Sequence, residues 1–103
     1  MRIERDAFYS MLGIAMRAGA LTLGTDAVTA AVASGQAGVV LLDEGASDNT
    51  KKKLRDNCAF YHTTLFETQA DRLGFAIGKP GRICAAVAKG TLCQKLKAIA
   101  EEK

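Results

Sequence analysis

At 103 residues, 49% apolar and 24% charged, the chain is sized for one compact domain with a real core, not for a disordered segment or a two-domain enzyme. Its 14 Lys and Arg against 11 Asp and Glu leave a formal net charge of +3, which permits an anionic partner without demanding one. No charged-then-apolar leader opens the sequence, and no apolar run approaches the ~20 residues that span a bilayer, so a cytoplasmic location without membrane contact is expected. Cys58, Cys84 and Cys93 are odd in number and lack CxxC spacing. They argue against a zinc site or a disulfide framework and read as small buried residues in a reducing compartment.

Phe8, Met11, Leu12, Ala15 and Met16 recur at i, i+3, i+4, i+7 and i+8, the apolar stripe of a helix over about residues 5–18, closed by Gly19. Leu21-Thr22-Leu23 is a short buried strand, and Gly24, Thr25 and Asp26 open a second helix reaching Ser34. Ala27, Val28, Ala31 and Val32 form its apolar face and Gly35 closes it. Val39-Val40-Leu41-Leu42 is an unbroken apolar run, as a central strand covered on both faces requires. The stretch Asp43 to Thr50 is a turn-rich loop; Asp43 and Glu44, being adjacent, are expected to diverge into solvent. A third helix over about 48–58 carries only Leu54 and Cys58 on a narrow apolar stripe.

Thr63–Phe66 reads as the next strand, after which Thr68 caps a fourth helix with Ala70, Leu73, Ala76 and Ile77 inward and Gly78 at its end. Lys79-Pro80-Gly81 is a tight turn, Ile83–Ala88 a further strand, and Lys89-Gly90-Thr91 turns into a last helix striped by Leu92, Leu96 and Ile99. Glu101-Glu102-Lys103 is expected to fray. The alternation of helices and strands predicts an α/β fold, a three-layer α/β/α sandwich around a mixed sheet of about four strands.

No phosphate-binding P-loop and no GxGxxG turn are present. His62 is the only histidine, and its partners for nucleophilic chemistry would be three cysteines that read as core residues. Neither a catalytic constellation nor a cofactor site emerges, so a protein without enzymatic activity is expected. Lys51, Lys52, Lys53 and Arg55 open the third helix, where positive charge opposes the helix dipole. They form either a solvated face or a phosphate-contacting one; an anionic partner would offset the local repulsion.

With these segments placed, the chain resembles the kink-turn RNA-binding ribosomal protein family, the L-seven-Ae and L-thirty-e group, and most of all its small bacterial, YlxQ-like members. The carrying stretches are Leu12 through Gly19, Gly24 through Val32, Ser34 through Leu42, Asp48 through Leu54, and Leu73 through Lys79 with Arg82 beyond. The resemblance implies the sandwich already inferred, no catalysis, no cofactor, and a recognition edge built from three neighbouring places. The first is the family's Gly-x-Asn-Glu-x-x-Lys helix start, which reads sheared G·A pairs and falls here on Gly24, Thr25 and Asp26. The second is the loop Asp43, Glu44, Gly45, Ala46 and Ser47 with Lys51, Lys52 and Lys53. The third is Gly78 to Cys84, in which Lys79 and Arg82 supply charge while Ile83 and Cys84 meet a flipped-out nucleotide.

The family's Asn-Glu stands here as Asp26-Ala27 and its Lys as Ala30, so a shifted RNA preference is implied. The expected partner is a structured RNA, ribosomal or regulatory, with a kink-turn or a similar bend. The alternative is a protein-interaction module that kept the fold with weak or altered RNA specificity, for which Ala27 and Ala30 speak. A small nucleotide-handling enzyme is disfavoured by the missing phosphate loop.

Overall fold

The centre of the molecule is the segment Ala37–Asp43 (β3), whose side chains are apolar on both faces until the last position. Strands Thr64–Thr68 (β4) and Cys84–Ala88 (β5) flank it, β4 parallel and β5 antiparallel. Arg2–Ile3 (β1) adds a parallel edge beyond β4, and Leu21–Leu23 (β2) an antiparallel edge beyond β5. The five-stranded mixed sheet thus has the order β1-β4-β3-β5-β2 in this computed structural model, which describes residues 2–101. The extra strand relative to the sequence expectation is β1, two residues long and therefore without a periodic signal of its own.

The two faces of β3 belong to different cores. Val39 and Leu41 join Phe8, Leu12, Leu73 and Leu96, from Asp6–Arg17 (α1), Arg72–Ile77 (α4) and Thr91–Glu101 (α5). Val40 and Leu42 join Val28, Val32, Leu54 and Cys58, from Thr25–Ala33 (α2) and Asp48–Phe60 (α3). This is the three-layer α/β/α sandwich, with period-two alternation sorting one strand's residues between two helical layers. A bulge at Gly38, where Ala37 pairs Ala88 and Val39 pairs the preceding Val87, turns Ala37 to the face of Val40. Among the three cysteines, all buried, the Cys58 thiol is pushed up to about 11 by burial, which keeps it protonated and inert.

Several sequence expectations are corrected. Thr68 is not a helix cap: it is the fully buried end of β4, and its hydroxyl donates to Asp43 Oδ2 at 3.2 Å. The fourth helix starts three residues later, at Arg72 with Asp71 in the N-cap position, and Ala70 lies exposed in the connecting turn instead of inward. Ala27 faces solvent, because the buried stripe of α2 narrows to Val28 and Val32. Asp43 and Glu44 do diverge, but Asp43 goes into the core at 1% exposure while Glu44 pairs with Arg2 at 3.0 Å. Of the expected frayed end, Glu101 lies within α5, and Glu102 and Lys103 lie outside the described residues.

Four helices end on the same paired hydrogen bonds, in which a left-handed residue and its successor donate back to the last turn. In α1, α2 and α4 the left-handed position is Gly19, Gly35 and Gly78. In α3 it is His62, at φ 57°, with its N–H donating to the Ala59 carbonyl and that of Thr63 to Cys58. A side chain there costs roughly 1–2 kcal/mol relative to glycine.

Candidate nucleic-acid interface

The register brings the three expected places together. Leu23 at the end of β2 pairs Ala85, Leu42 in β3 pairs Cys84, and Asp43 pairs Thr68 at the end of β4. The chain segments that follow β2, β3 and β4 therefore emerge at the same sheet edge as the segment that leads into β5. Cross-links tie them: the Asp43 N–H donates to the Ile83 carbonyl at 2.8 Å and that of Glu44 to Thr68 at 2.9 Å. The Thr25 hydroxyl lies 3.8 Å from the Cys84 sulfur, and Lys53 Nζ lies 3.4 Å from Asp26 Oδ1.

Asp43 organises this edge from inside. Its Oδ1 accepts from the amides of Gly45 (2.8 Å) and Asp71 (3.0 Å), and its Oδ2 from Leu73 (3.4 Å) and the Thr68 hydroxyl. One carboxylate thus fixes the β3–α3 loop and the start of α4 together. The expected contact role is corrected for three residues: the side chains of Asp43, Ala46 and Cys84 are buried. Asp43 is spent on backbone amides, Ala46 packs beneath the loop, and Cys84 faces the core, where burial raises its thiol pKa against the opposing pull of Thr25, Gly24 and Arg82. Ile83, half-buried, packs against the same core.

What remains on the surface is polar and mostly cationic. Gly24, at φ 96°, precedes α2 and lets Thr25 tuck toward Cys84 while the Asp26 side chain stands 99% exposed. Gly45 and Ser47 are exposed, and the Ser47 hydroxyl caps α3 by accepting from the Thr50 amide at 3.2 Å. Glu44, half-buried, contributes an anion neutralised by Arg2. Lys52 is engaged by Asp56 at 2.8 Å and Lys53 by Asp26. Half-buried Lys51 and exposed Lys79 and Arg82 have no ion-pair partner among the described residues. The uncommitted charge thus falls as much on the α4–β5 turn as on the lysine block that dominates the sequence.

Sequence reasoning missed Gly74, which seats that turn. A Cβ at Gly74 would stand 2.9 Å from the Lys79 carbonyl oxygen, 3.0 Å from the Gly81 nitrogen and 3.1 Å from Pro80 Cα, all backbone. Gly74→Ala is therefore expected to displace residues 79–81 and to lower unfolding free energy by about 1–3 kcal/mol, the usual effect of overpacking. Chemical denaturation and the amide shifts of Gly81 and Arg82 measure both effects. Among the described residues no group of three or more His, Cys, Asp or Glu is placed to hold a metal ion, and no helix is long and apolar enough to cross a membrane.

Fold and edge together define a class: small α/β/α proteins with a mixed sheet that gather polar, cation-bearing loops at one end of the strands. Within that class the chain belongs to the ribosomal protein L7Ae/L30e/S12e/Gadd45 family, whose model matches residues 6–98. It is 33% identical over 99 residues to the Enterococcus faecium protein named RNA-binding protein YlxQ, covering 95% of each chain. The Bacillus subtilis (strain 168) protein of the same name is 36% identical over 90 residues, 86% of this chain and 90% of that one. A solved structure of a protein of unknown function from Bacillus halodurans C superposes with a TM-score of 0.88 at 36% identity, covering 95% of this chain and all of the other. The Giardia lamblia 15.5kD RNA binding protein shares the fold, with a TM-score of 0.71 at 17% identity over 94% of this chain and 93% of that one.

Proposed function

We propose that the chain acts as a single, non-enzymatic RNA-binding domain in the cytoplasm, recognising a kink-turn or a similarly bent structured RNA, ribosomal or regulatory. The observation that carries this reading is the convergence of the Gly24, Ser47 and Arg82 segments on one edge, with cations left uncommitted beside an exposed helix-start carboxylate. The names of the Enterococcus and Bacillus subtilis relatives support it.

Lys79, Arg82 and the lysines of α3 hold phosphates, the term that dominates affinity and makes it salt-dependent. Asp26, released from Lys53, accepts from the N1–H and N2–H of a guanine. The free amides of the first α2 turn accompany it. Ala27 and Ala30 stand where the family pattern has a carboxylate and a cation, so shape and charge carry more of the recognition than base contacts do. Of the large exposed apolar side chains, Ile14 and Phe75 belong to α1 and α4 on one layer, while Phe60 and Tyr61, their rings 4.8 Å apart, stand at the closing turn of α3 on the other; this division between layers favours RNA over a protein partner.

The decisive experiment titrates a kink-turn RNA and a matched plain duplex at several salt concentrations. Tighter binding of the kinked RNA, with affinity falling as salt rises, is expected. Equal affinity for both refutes recognition of the bend, and no binding at low salt refutes the RNA reading. Lys52→Glu, which also removes the lysine's hold on Asp56, should weaken binding severalfold and flatten its salt dependence.

A further inference from the structure

The sheet edge opposite the proposed RNA surface carries a cleft of about 480 Å3, between the closing turn of α3 and the β5–α5 turn. It lies within the roughly 300–1,000 Å3 range of small-molecule sites. Strand β3 separates the two edges, with Ala37 on the cleft and Asp43 at the far end. At ~3.3 Å per residue that is about 20 Å, so the cleft is not an extension of the RNA surface.

Its lining is selective in charge. Val32, Ala37 and Cys93 give an apolar floor, Lys89 and Lys97 give two cations, and among the described residues no Asp or Glu takes part. Neither lysine has an ion-pair partner among the described residues. The first turn of α5 opens here too, with the Gln94 amide bonded back to Gly90 and the intervening N–H groups left without helical partners. Two rings, Tyr61 and His62, stand on the α3 side.

His62 is the telling residue. The other three helices closed in this way place glycine at the left-handed position, and α3 alone carries a side chain there. Backbone strain that glycine would relieve is retained where the side chain has a use. A bare anion would satisfy the lysines but leave both rings and the apolar floor idle.

We propose that this cleft binds a nucleotide, its phosphate held by Lys89, Lys97 and the first turn of α5 and its base packed against Tyr61 and His62. A free nucleotide and the phosphorylated end of an RNA strand present the same chemistry.

The test follows backbone amide shifts of the full chain with adenosine 5′-monophosphate, adenosine, inorganic phosphate, and a short single-stranded oligoribonucleotide with and without a 5′-phosphate. Saturable shifts at Gly38, Thr63 and Gly90, with Gly24 and Gly81 still, are expected. The mononucleotide should bind at least fivefold tighter than phosphate or nucleoside if the occupant is a free nucleotide. If only the phosphorylated oligonucleotide saturates the cleft, the occupant is an RNA end. Lys89→Met with Lys97→Met should weaken either by about a hundredfold, about tenfold for each hydrogen bond to a charged group. His62→Gly should raise the melting temperature yet weaken binding of the saturating probe threefold or more, so lost folding cannot account for the result. Absence of saturable shifts with every probe, mononucleotide binding no tighter than inorganic phosphate without a preference for the phosphorylated strand, or full affinity in His62→Gly would overturn the assignment.

Discussion

Asp43→Ala is expected to lower the unfolding free energy by about 3–5 kcal/mol, since each buried donor left unsatisfied costs about 1–3 kcal/mol. The substitution orphans the amides of Gly45, Asp71 and Leu73 together with the Thr68 hydroxyl. Asp43→Asn should cost less. Its carbonyl oxygen can still accept from Gly45 and Asp71, while its NH2 group meets the Leu73 amide donor to donor; the Thr68 hydroxyl can turn to accept. Urea unfolding monitored by circular dichroism, compared at equal m-values, measures the difference. A loss below about 1 kcal/mol in the alanine variant would mean that the carboxylate does not hold the edge together. Because the same group fixes the β3–α3 loop and the start of α4, the alanine variant should also loosen RNA binding under conditions where it remains folded.

Lys79→Gln with Arg82→Gln is expected to weaken RNA binding about 10–100-fold and to reduce the salt slope by about two, one for each phosphate contact removed. These side chains are exposed and have no ion-pair partner among the described residues, so their whole charge faces a ligand and the fold should be untouched. The matching change at Lys52 should do less, because Asp56 at 2.8 Å already shares its ammonium. Surface pairs of that kind are worth about 0–1 kcal/mol, so they moderate a phosphate contact without abolishing it. Filter binding or fluorescence anisotropy at four or more salt concentrations gives both quantities. If the lysine-block variant has the larger effect, binding is centred on α3 and the α4–β5 turn is peripheral.

What could be read in the sequence was local. The unbroken run Val39–Leu42 announced the central strand, and the glycines after α1, α2 and α4 marked their ends through a preference of the backbone itself. The start of α4 was not legible, because it depends on a bond from Asp71 to a carboxylate 28 residues earlier, and Thr68 made a more conventional cap nearby. The strand Arg2–Ile3 exists only because β4 offers it a ladder. For the candidate site, composition pointed to the lysine block and the family resemblance to three loops. That one of those lysines is tied to Asp26, 27 residues away, is a property of the folded edge alone. Asp43 reads as a solvated turn residue, yet it closes β3 and turns into the core: an acidic residue at such a place is expected in solvent unless the amides that will surround it are known.

The two outermost strands of the sheet have a further consequence. Arg2–Ile3 closes one side with two residues and Leu21–Leu23 the other with three, whereas the longest strand, of seven, lies inside. Borders so brief offer an incoming chain almost no row of free amides and carbonyls to copy, which is how natural sheets avoid fibrillar growth. On the proposed reading the protein also exists free of its RNA, with no polyanion to cover its surface. With its hydrogen-bonding borders cut short, such a molecule can wait alone without sticking to its own kind.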